Sequence, residues 1–245
     1  MLRLSLTARC NLACPYCLPD GREPADLLNL SQRLQVVAAA VALGATSLRL
    51  TGGEPLLHPE LEDLLKALQP LRQQGLREIA LTSNGTLLTA ARAQALREAG
   101  LDRITLSLDG ADGPSVARMA GLPDGAAGER ALGAVLAAIE HARAAGFEPT
   151  SGGLKLNAVI QRGINDDQLR PLAALARGRG LELRLIEYMD VGNRNGWHPG
   201  AVLSAAEMVA RIGAHWPLDP QGRDSHGTAN RWRYRDGAGH LAVVA

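Results

Sequence analysis

Four short stretches of this chain alternate between leucine or isoleucine and polar residues. Leu2, Leu4 and Leu6 share one face of an extended segment, and Arg3, Ser5 and Thr7 share the other, because successive strand side chains point to opposite sides. The same period of two sets Leu48 and Leu50 against Arg49 and Thr51. It sets Ile104, Leu106 and Leu108 against Thr105, Ser107 and Asp109, and Leu154, Leu156 and Ile160 against Lys155 and Asn157. Strands are predicted at residues 2–7, 47–51, 78–82, 103–109, 154–161 and 182–188. Between them, residues 31–43, 59–68, 90–99, 129–145 and 167–179 carry amphipathic helical patterns. Ser31 reads as a helix cap, Pro59 stands near a first turn, and Gly44, Gly100, Gly146 and Gly180 stand at helix ends.

Strand–helix alternation repeated in this way predicts an α/β fold with a parallel sheet and right-handed crossovers. Six such units predict a partial (β/α)6 TIM-like barrel over residues 1–190, since a full eight-unit barrel needs ~250 residues. Residues 191–245 read as a C-terminal extension on the barrel. It holds a helix near 204–212, a loop rich in Gly, Asp, Ser and His, and a hairpin around Asp236-Gly237. Residues 121–128 read as a flexible loop within the barrel.

Helices covering a barrel bury its outer face, so the leucine faces point outward and the polar faces line the lumen. That puts one cation from each of three strands inside: Arg3, Arg49 and Lys155. Two readings stand. Either buried carboxylates such as Glu54 or Asp109 pair with them, or the lumen holds a polyanion such as a nucleoside triphosphate. In the first case removing Lys155 strands a carboxylate and costs ~3 kcal/mol, and in the second it leaves the fold intact.

The formal net charge is +1, which gives no reason to expect nucleic acid or an anionic membrane as partner. No 18-residue apolar stretch or export signal occurs. Arginine outnumbers lysine 24 to 2, so Lys66 and Lys155 stand out. The histidines, His58, His141, His198, His215, His226 and His240, show no ligand spacing and read as surface or loop residues. Trp197, Trp216 and Trp232 read as packing residues, and the alternating arginines of 231–235 as a solvated strand edge.

All three cysteines, Cys10, Cys14 and Cys17, lie in one eight-residue stretch, CNLACPYC. They cannot pair completely, which favours a reducing cytoplasm. Structural zinc wants a fourth ligand that is not there, and a redox dithiol at Cys14 and Cys17 leaves Cys10 without a role. Three thiolates on a four-iron cubane leave one iron open, as a catalytic cluster requires. The loop follows the first strand, at the barrel end where such folds place active sites.

C-x3-C-x2-C with an aromatic before its last cysteine resembles the signature of the radical S-adenosylmethionine (SAM) superfamily. LRLTGGEPLL resembles its Gly-Gly-Glu-Pro motif. Together with LTSNGTLL, LDRITLSLD, KLNAVIQRGIND and LIEYMDVGNRNGW, in this order, the chain is similar to the branch that cyclises GTP at the start of molybdenum cofactor biosynthesis. The likeness runs from Leu2 to about Trp197, continues weakly into the closing hairpin, and implies a SAM-cleaving lyase with one [4Fe–4S] cluster held by Cys10, Cys14 and Cys17. It implies that Tyr16, Gly53, Ser107 and Met189 line SAM, and that Arg3, Arg49, Thr82 and Lys155 hold GTP or a related triphosphate. No side chain is implied as acid or base, because the SAM-derived radical takes the ribose 3'-hydrogen and the ribose carbon attacks guanine C8. A flavodoxin or ferredoxin is implied as electron donor, and a homodimer as the assembly. Glu54 and Asp109 either orient SAM or pair with lumen cations, and Met189 could equally fill core.

No cysteine follows Cys17. The branch's second, C-terminal cluster region, which reads guanine, is therefore expected to be lacking, and GTP and ATP are expected to bind alike. The alternatives are a shortened radical SAM enzyme acting on another small molecule or peptide, and a non-catalytic iron–sulfur electron carrier.

Overall fold

The computed structural model of the chain describes residues 1–17, 22–190, 195–223 and 227–245. His226 and residues 191–194 of the last motif lie outside the described residues. In chain order the elements begin with β1 (Leu2–Ser5), α1 (Leu30–Ala42), β2 (Ser47–Thr51), α2 (Leu61–Leu68), β3 (Glu78–Ser83), α3 (Ala90–Glu98) and β4 (Arg103–Ser107). Then come α4 (Gly113–Ala120), α5 (Gly125–Ala144), β5 (Leu154–Ile160), α6 (Leu169–Gly178) and β6 (Glu182–Glu187). The chain closes with α7 (Ala205–Gly213), β7 (Leu218–Arg223), β8 (Asn230–Tyr234) and β9 (His240–Val244). All six strands expected from the alternation are present, within two residues at each end.

Two compact units divide the chain: residues 1–11, 19–106 and 134–148, and residues 12–18, 107–133 and 149–245. In the first, β1-β2-β3-β4 run parallel in sequence order. Leu48, Leu50, Ile79 and Leu81 are fully buried or nearly so, and α2 sets Leu61, Leu64, Leu65 and Leu68 on its buried face. Each such side chain contributes ~2 kcal/mol. His58, expected at the surface, is buried: its Nε2 lies 2.6 Å from the Arg33 guanidinium, which also donates to the Leu6 carbonyl at 3.0 Å. Burial, then the Arg33 charge, pushes the His58 pKa down.

In the second unit the order is β5-β6-β9-β8-β7. β5, β6 and β9 are mutually parallel, and β8 and β7 add antiparallel. The hairpin around Asp236-Gly237 is thus β8–β9, and its second strand extends the parallel sheet. Among the described residues β1 pairs only with β2, and β7 only with β8. Arg177 of α6 lies 4.8 Å from the Trp216 ring and 4.2 Å from the Tyr234 ring, and it pairs with Asp236 at 2.5 Å.

Three local expectations change. α1 is capped by Asn29, not Ser31. The Asn29 side chain accepts from Gln32 N–H at 3.0 Å and the Gln32 side chain accepts from Asn29 N–H at 3.0 Å. Asn29 has a Gln three residues on, whereas Ser31 has Leu34, which cannot reach back. The loop expected at 121–128 shrinks to 121–124, because Asp112 caps an unforeseen α4 and Asp124 accepts from Ala127 N–H at 2.7 Å at the start of α5. β7 was hidden by Pro220 and Gly222, which an edge strand tolerates at a bulge. Among the described residues no helix is long and apolar enough to cross a membrane.

Candidate functional site

In the first unit the backbone before Cys10 is clamped from two sides. Glu23 accepts from Thr7 Oγ1 and from Ala8 N–H at 2.7 Å. From the other side Gly53 N–H donates to the Thr7 carbonyl at 2.7 Å, and Glu54 N–H to the Arg9 carbonyl at 2.8 Å. A β-carbon on Gly53 would lie 2.2 Å from that Arg9 oxygen, so only glycine lets the Gly-Gly-Glu-Pro turn approach this closely. Gly53→Ala is therefore expected to destabilise the protein by ~2 kcal/mol and to lower its iron content, as thermal denaturation and iron assay would show. An unchanged melting temperature would mean that the loop shifts freely.

Glu54 pairs with no cation among the described contacts. Its carboxylate accepts from Leu56 N–H at 2.9 Å, Ser83 Oγ at 2.8 Å and Asn84 N–H at 2.8 Å. Burial pushes its pKa up, against those three hydrogen bonds. Arg3 and Arg49 are register partners on β1 and β2, and Thr82 lies on the same strand face, two residues beyond the register partner of Arg49. Arg3 is exposed, while Arg49, Thr82 and Gly53 are half-buried.

In the second unit Cys17 N–H donates to the Cys14 carbonyl at 3.0 Å, and Ala13 N–H donates to the Ala120 carbonyl at 3.1 Å. Gly121, at φ +65°, ends α4 so close that a β-carbon there would sit 2.1 Å from the Ala13 oxygen. Tyr16 Oη donates to Asp109 Oδ2 at 2.7 Å, and Asp109 Oδ1 accepts from Val159 N–H at 2.7 Å. Asp109 thus meets a phenol and an amide rather than a lumen cation. Burial raises its pKa to about 6, which the two hydrogen bonds oppose. Ser107 is half-buried, and Met189 is exposed rather than core filler.

Lys155 does have a carboxylate partner, but it is neither Glu54 nor Asp109. Its Nζ lies 2.9 Å from Glu182 Oε1, directly across the β5–β6 register. Glu182 also accepts from Arg184 Nε at 2.8 Å and from Arg231 Nη2 at 2.6 Å. Burial pushes the Glu182 pKa up, but Lys155 and Arg184 more than reverse this and hold it at about 2. Arg231 is therefore an inward residue of an interior strand, not a solvated edge. Glu182 and Arg184 were findable, since they occupy the polar positions of ELRLIE. Arg231 was not, because its approach depends on how β9 and β8 add to β6.

None of Cys10, Cys14 and Cys17 is in a disulfide. Among the described residues no three His, Cys, Asp or Glu side chains gather as ligands of a single ion. A cubane takes one thiolate at each of three separate irons. Three thiols on one eight-residue loop, with backbone clamps before and within it, fit a cubane.

Parallel strands with helical crossovers, a three-cysteine loop after β1 and a Gly-Gly-Glu-Pro turn after β2 together define a radical SAM protein. The model of the radical SAM superfamily matches residues 4–176, and that described as Molybdenum Cofactor Synthesis C matches residues 181–245. The GTP 3',8-cyclase of Parasynechococcus marenigrum (strain WH8102) is 62% identical over all of this chain and 72% of its own length. That of Acidothermus cellulolyticus is 45% identical over all of this chain and 66% of its own length. Streptococcus suis SuiB bound to its precursor peptide SuiA shares the fold at a TM-score of 0.67 and 17% identity, over 87% of this chain and 44% of SuiB. The chain belongs to the GTP 3',8-cyclase family of radical SAM enzymes, whose cofactors are a [4Fe–4S] cluster and SAM.

Proposed function

We propose that this chain converts GTP to 3',8-cyclo-7,8-dihydro-GTP with SAM as co-substrate, in molybdenum cofactor biosynthesis. The observation that carries the reading is the 62% identity to a GTP 3',8-cyclase along the whole chain. Cys10, Cys14 and Cys17 are the proposed cluster ligands. When bound, the cluster supplies one electron and an iron with an open position. Tyr16, Gly53, Ser107 and Met189 are the proposed SAM contacts. The hydrogen bond from Tyr16 to Asp109 fixes the phenol within the cysteine loop, which supports a positioning role.

Arg3, Arg49, Thr82 and Lys155 are the proposed GTP contacts. The Arg3–Arg49 register pair and the grouping of Lys155 with Arg184 and Arg231 both suit phosphate, which guanidinium and ammonium groups recognise by charge and fixed donors. Residues 1–190 are the proposed catalytic domain and residues 191–245 its extension. A flavodoxin or ferredoxin is the proposed one-electron donor, in a reducing cytoplasmic setting, and a homodimer the proposed assembly.

The test is anaerobic turnover of the reconstituted protein with dithionite, SAM and GTP. Release of 5'-deoxyadenosine together with a cyclised GTP product is expected, and GTP affinity is expected to fall as salt rises. Cleavage of SAM with GTP recovered unchanged would overturn the substrate assignment. A protein that holds the cluster yet fails to bind SAM by calorimetry would be an electron carrier.

A further inference from the structure

We propose that Asn84 is a positioning residue for the iron–sulfur cluster, donating a side-chain N–H to the sulfur of Cys10 and raising the cluster's reduction potential. This rests on the reading of Cys10 as a cluster ligand. Asn84 stands in the Asn84-Gly85 turn after β3, where sequence alone supports no more than a turn. Its Nδ2 lies 3.9 Å from Cys10 Sγ and 2.9 Å from Asn11 Oδ1.

The orientation of the amide is decided by its other end. Asn84 Oδ1 faces Thr86 N–H at 3.0 Å, and a backbone N–H can only donate, so that end must be the oxygen. The NH2 end therefore faces the cysteine. Three hydrogen bonds close a ring beside it. Asn11 Nδ2 donates to Thr86 Oγ1 at 2.8 Å, Thr86 Oγ1 donates to Asn84 Oδ1 at 2.7 Å, and Asn84 Nδ2 donates to Asn11 Oδ1. Asn11 directly follows Cys10, so the ring ties the turn after β3 to the first cysteine.

The turn itself is held by Glu54 of Gly-Gly-Glu-Pro, which accepts from Asn84 N–H and Ser83 Oγ. Glu54 thus connects the glycine turn to the cluster sulfur through one residue. An N–H directed at a thiolate stabilises negative charge on the sulfur. Reduction adds one negative charge to the cluster, so the donor favours the reduced form over the oxidised one. Outer partners of this kind orient a ligand as well as tune the metal it holds.

The experiment is a redox titration of the reconstituted [4Fe–4S] protein, followed by electron paramagnetic resonance, in the wild type, Asn84→Ala, Asn84→Asp and Thr86→Val. Both Asn84 variants are expected to be about tenfold harder to reduce, a fall of about 59 mV for one electron. Thr86→Val keeps the backbone N–H that orients the amide and the Asn84 bond to Asn11, so it is expected to lower the potential by less than either Asn84 variant, and an equal fall overturns the proposal. An Asn84 variant that retains its four irons at the wild-type potential overturns the proposal.

Should the Asn84 variants lose the cluster, Asn11→Asp protein carrying side-chain 15N-asparagine gives a second readout, since aspartate keeps the acceptor for Asn84. Pulsed resonance of its reduced cluster is expected to show a 15N coupling, and absence of that coupling overturns the proposal. A wild-type protein that binds no four-iron cluster would instead overturn the reading on which the proposal rests.

Discussion

Glu182→Ala is expected to lower stability by ~3 kcal/mol. The substitution removes a carboxylate on which Lys155, Arg184 and Arg231 converge, so their mutual repulsion loses its counter-charge on a strand face that is buried at Lys155 and half-buried at Arg184 and Arg231. The pKa supports the same magnitude: a fall from 4.5 to about 2 corresponds to ~3 kcal/mol at 1.36 kcal/mol per unit. The sign follows from the depressed folded pKa. The contribution is fully present above the unfolded value of 4.5 and is lost as pH falls through about 2. Urea denaturation of wild type at pH 7 and pH 3 should therefore differ by more than the same comparison in Glu182→Ala. A loss below ~1 kcal/mol at pH 7 would show that the cations have enough water to relax.

The same geometry revises the expectation for Lys155. Removing it does not strand Glu182, which keeps Arg184 and Arg231, so Lys155→Met is expected to cost ~1 kcal/mol rather than ~3. Loss of triphosphate binding by a variant this stable would then report on the ligand and not on the fold.

Cys14→Ala is expected to abolish the cluster and SAM cleavage together. The wild-type protein should hold about four irons and four sulfides at this loop, following from three thiolates and one open position. Two remaining thiolates cannot fix three corners of a cubane. The check is iron and sulfide analysis of anaerobically reconstituted protein beside an assay for 5'-deoxyadenosine. Tightly bound zinc in the wild type, or SAM cleavage surviving in Cys14→Ala, would overturn the assignment.

The strands and the chemistry of the cysteine loop were legible because both are local. Alternation of Leu4, Leu48, Ile104 and Leu156 with polar neighbours is a property of consecutive residues, and burial of one face enforces it. The cysteine spacing and Gly-Gly-Glu-Pro carry their meaning within ten residues, and the fold places both just after strands. Helix ends were legible where a single glycine stops the helix, as at Gly100 and Gly146, with φ of 96° and 84°. They were misread where two caps compete, as with Asn29 and Ser31. β7 was lost because an edge strand demands so little of its sequence.

What the tertiary structure alone decided is which polar groups meet. The alternation marked Lys155 as inward but could not say that Glu182 stands across the β5–β6 register, or that β8 brings in Arg231 from 49 residues beyond Glu182. Glu54 and Asp109 looked like partners for cations. They meet instead Ser83, Asn84, Tyr16 and Val159. The reason is physical. The face on which a residue lies is set by its own backbone and its apolar neighbours, whereas a carboxylate's partner is set by sheet register and by where distant turns end. Sequence therefore determined the class of chemistry and the strand faces that bear it, and register determined the pairings of Glu182 and the aim of Asn84 at Cys10.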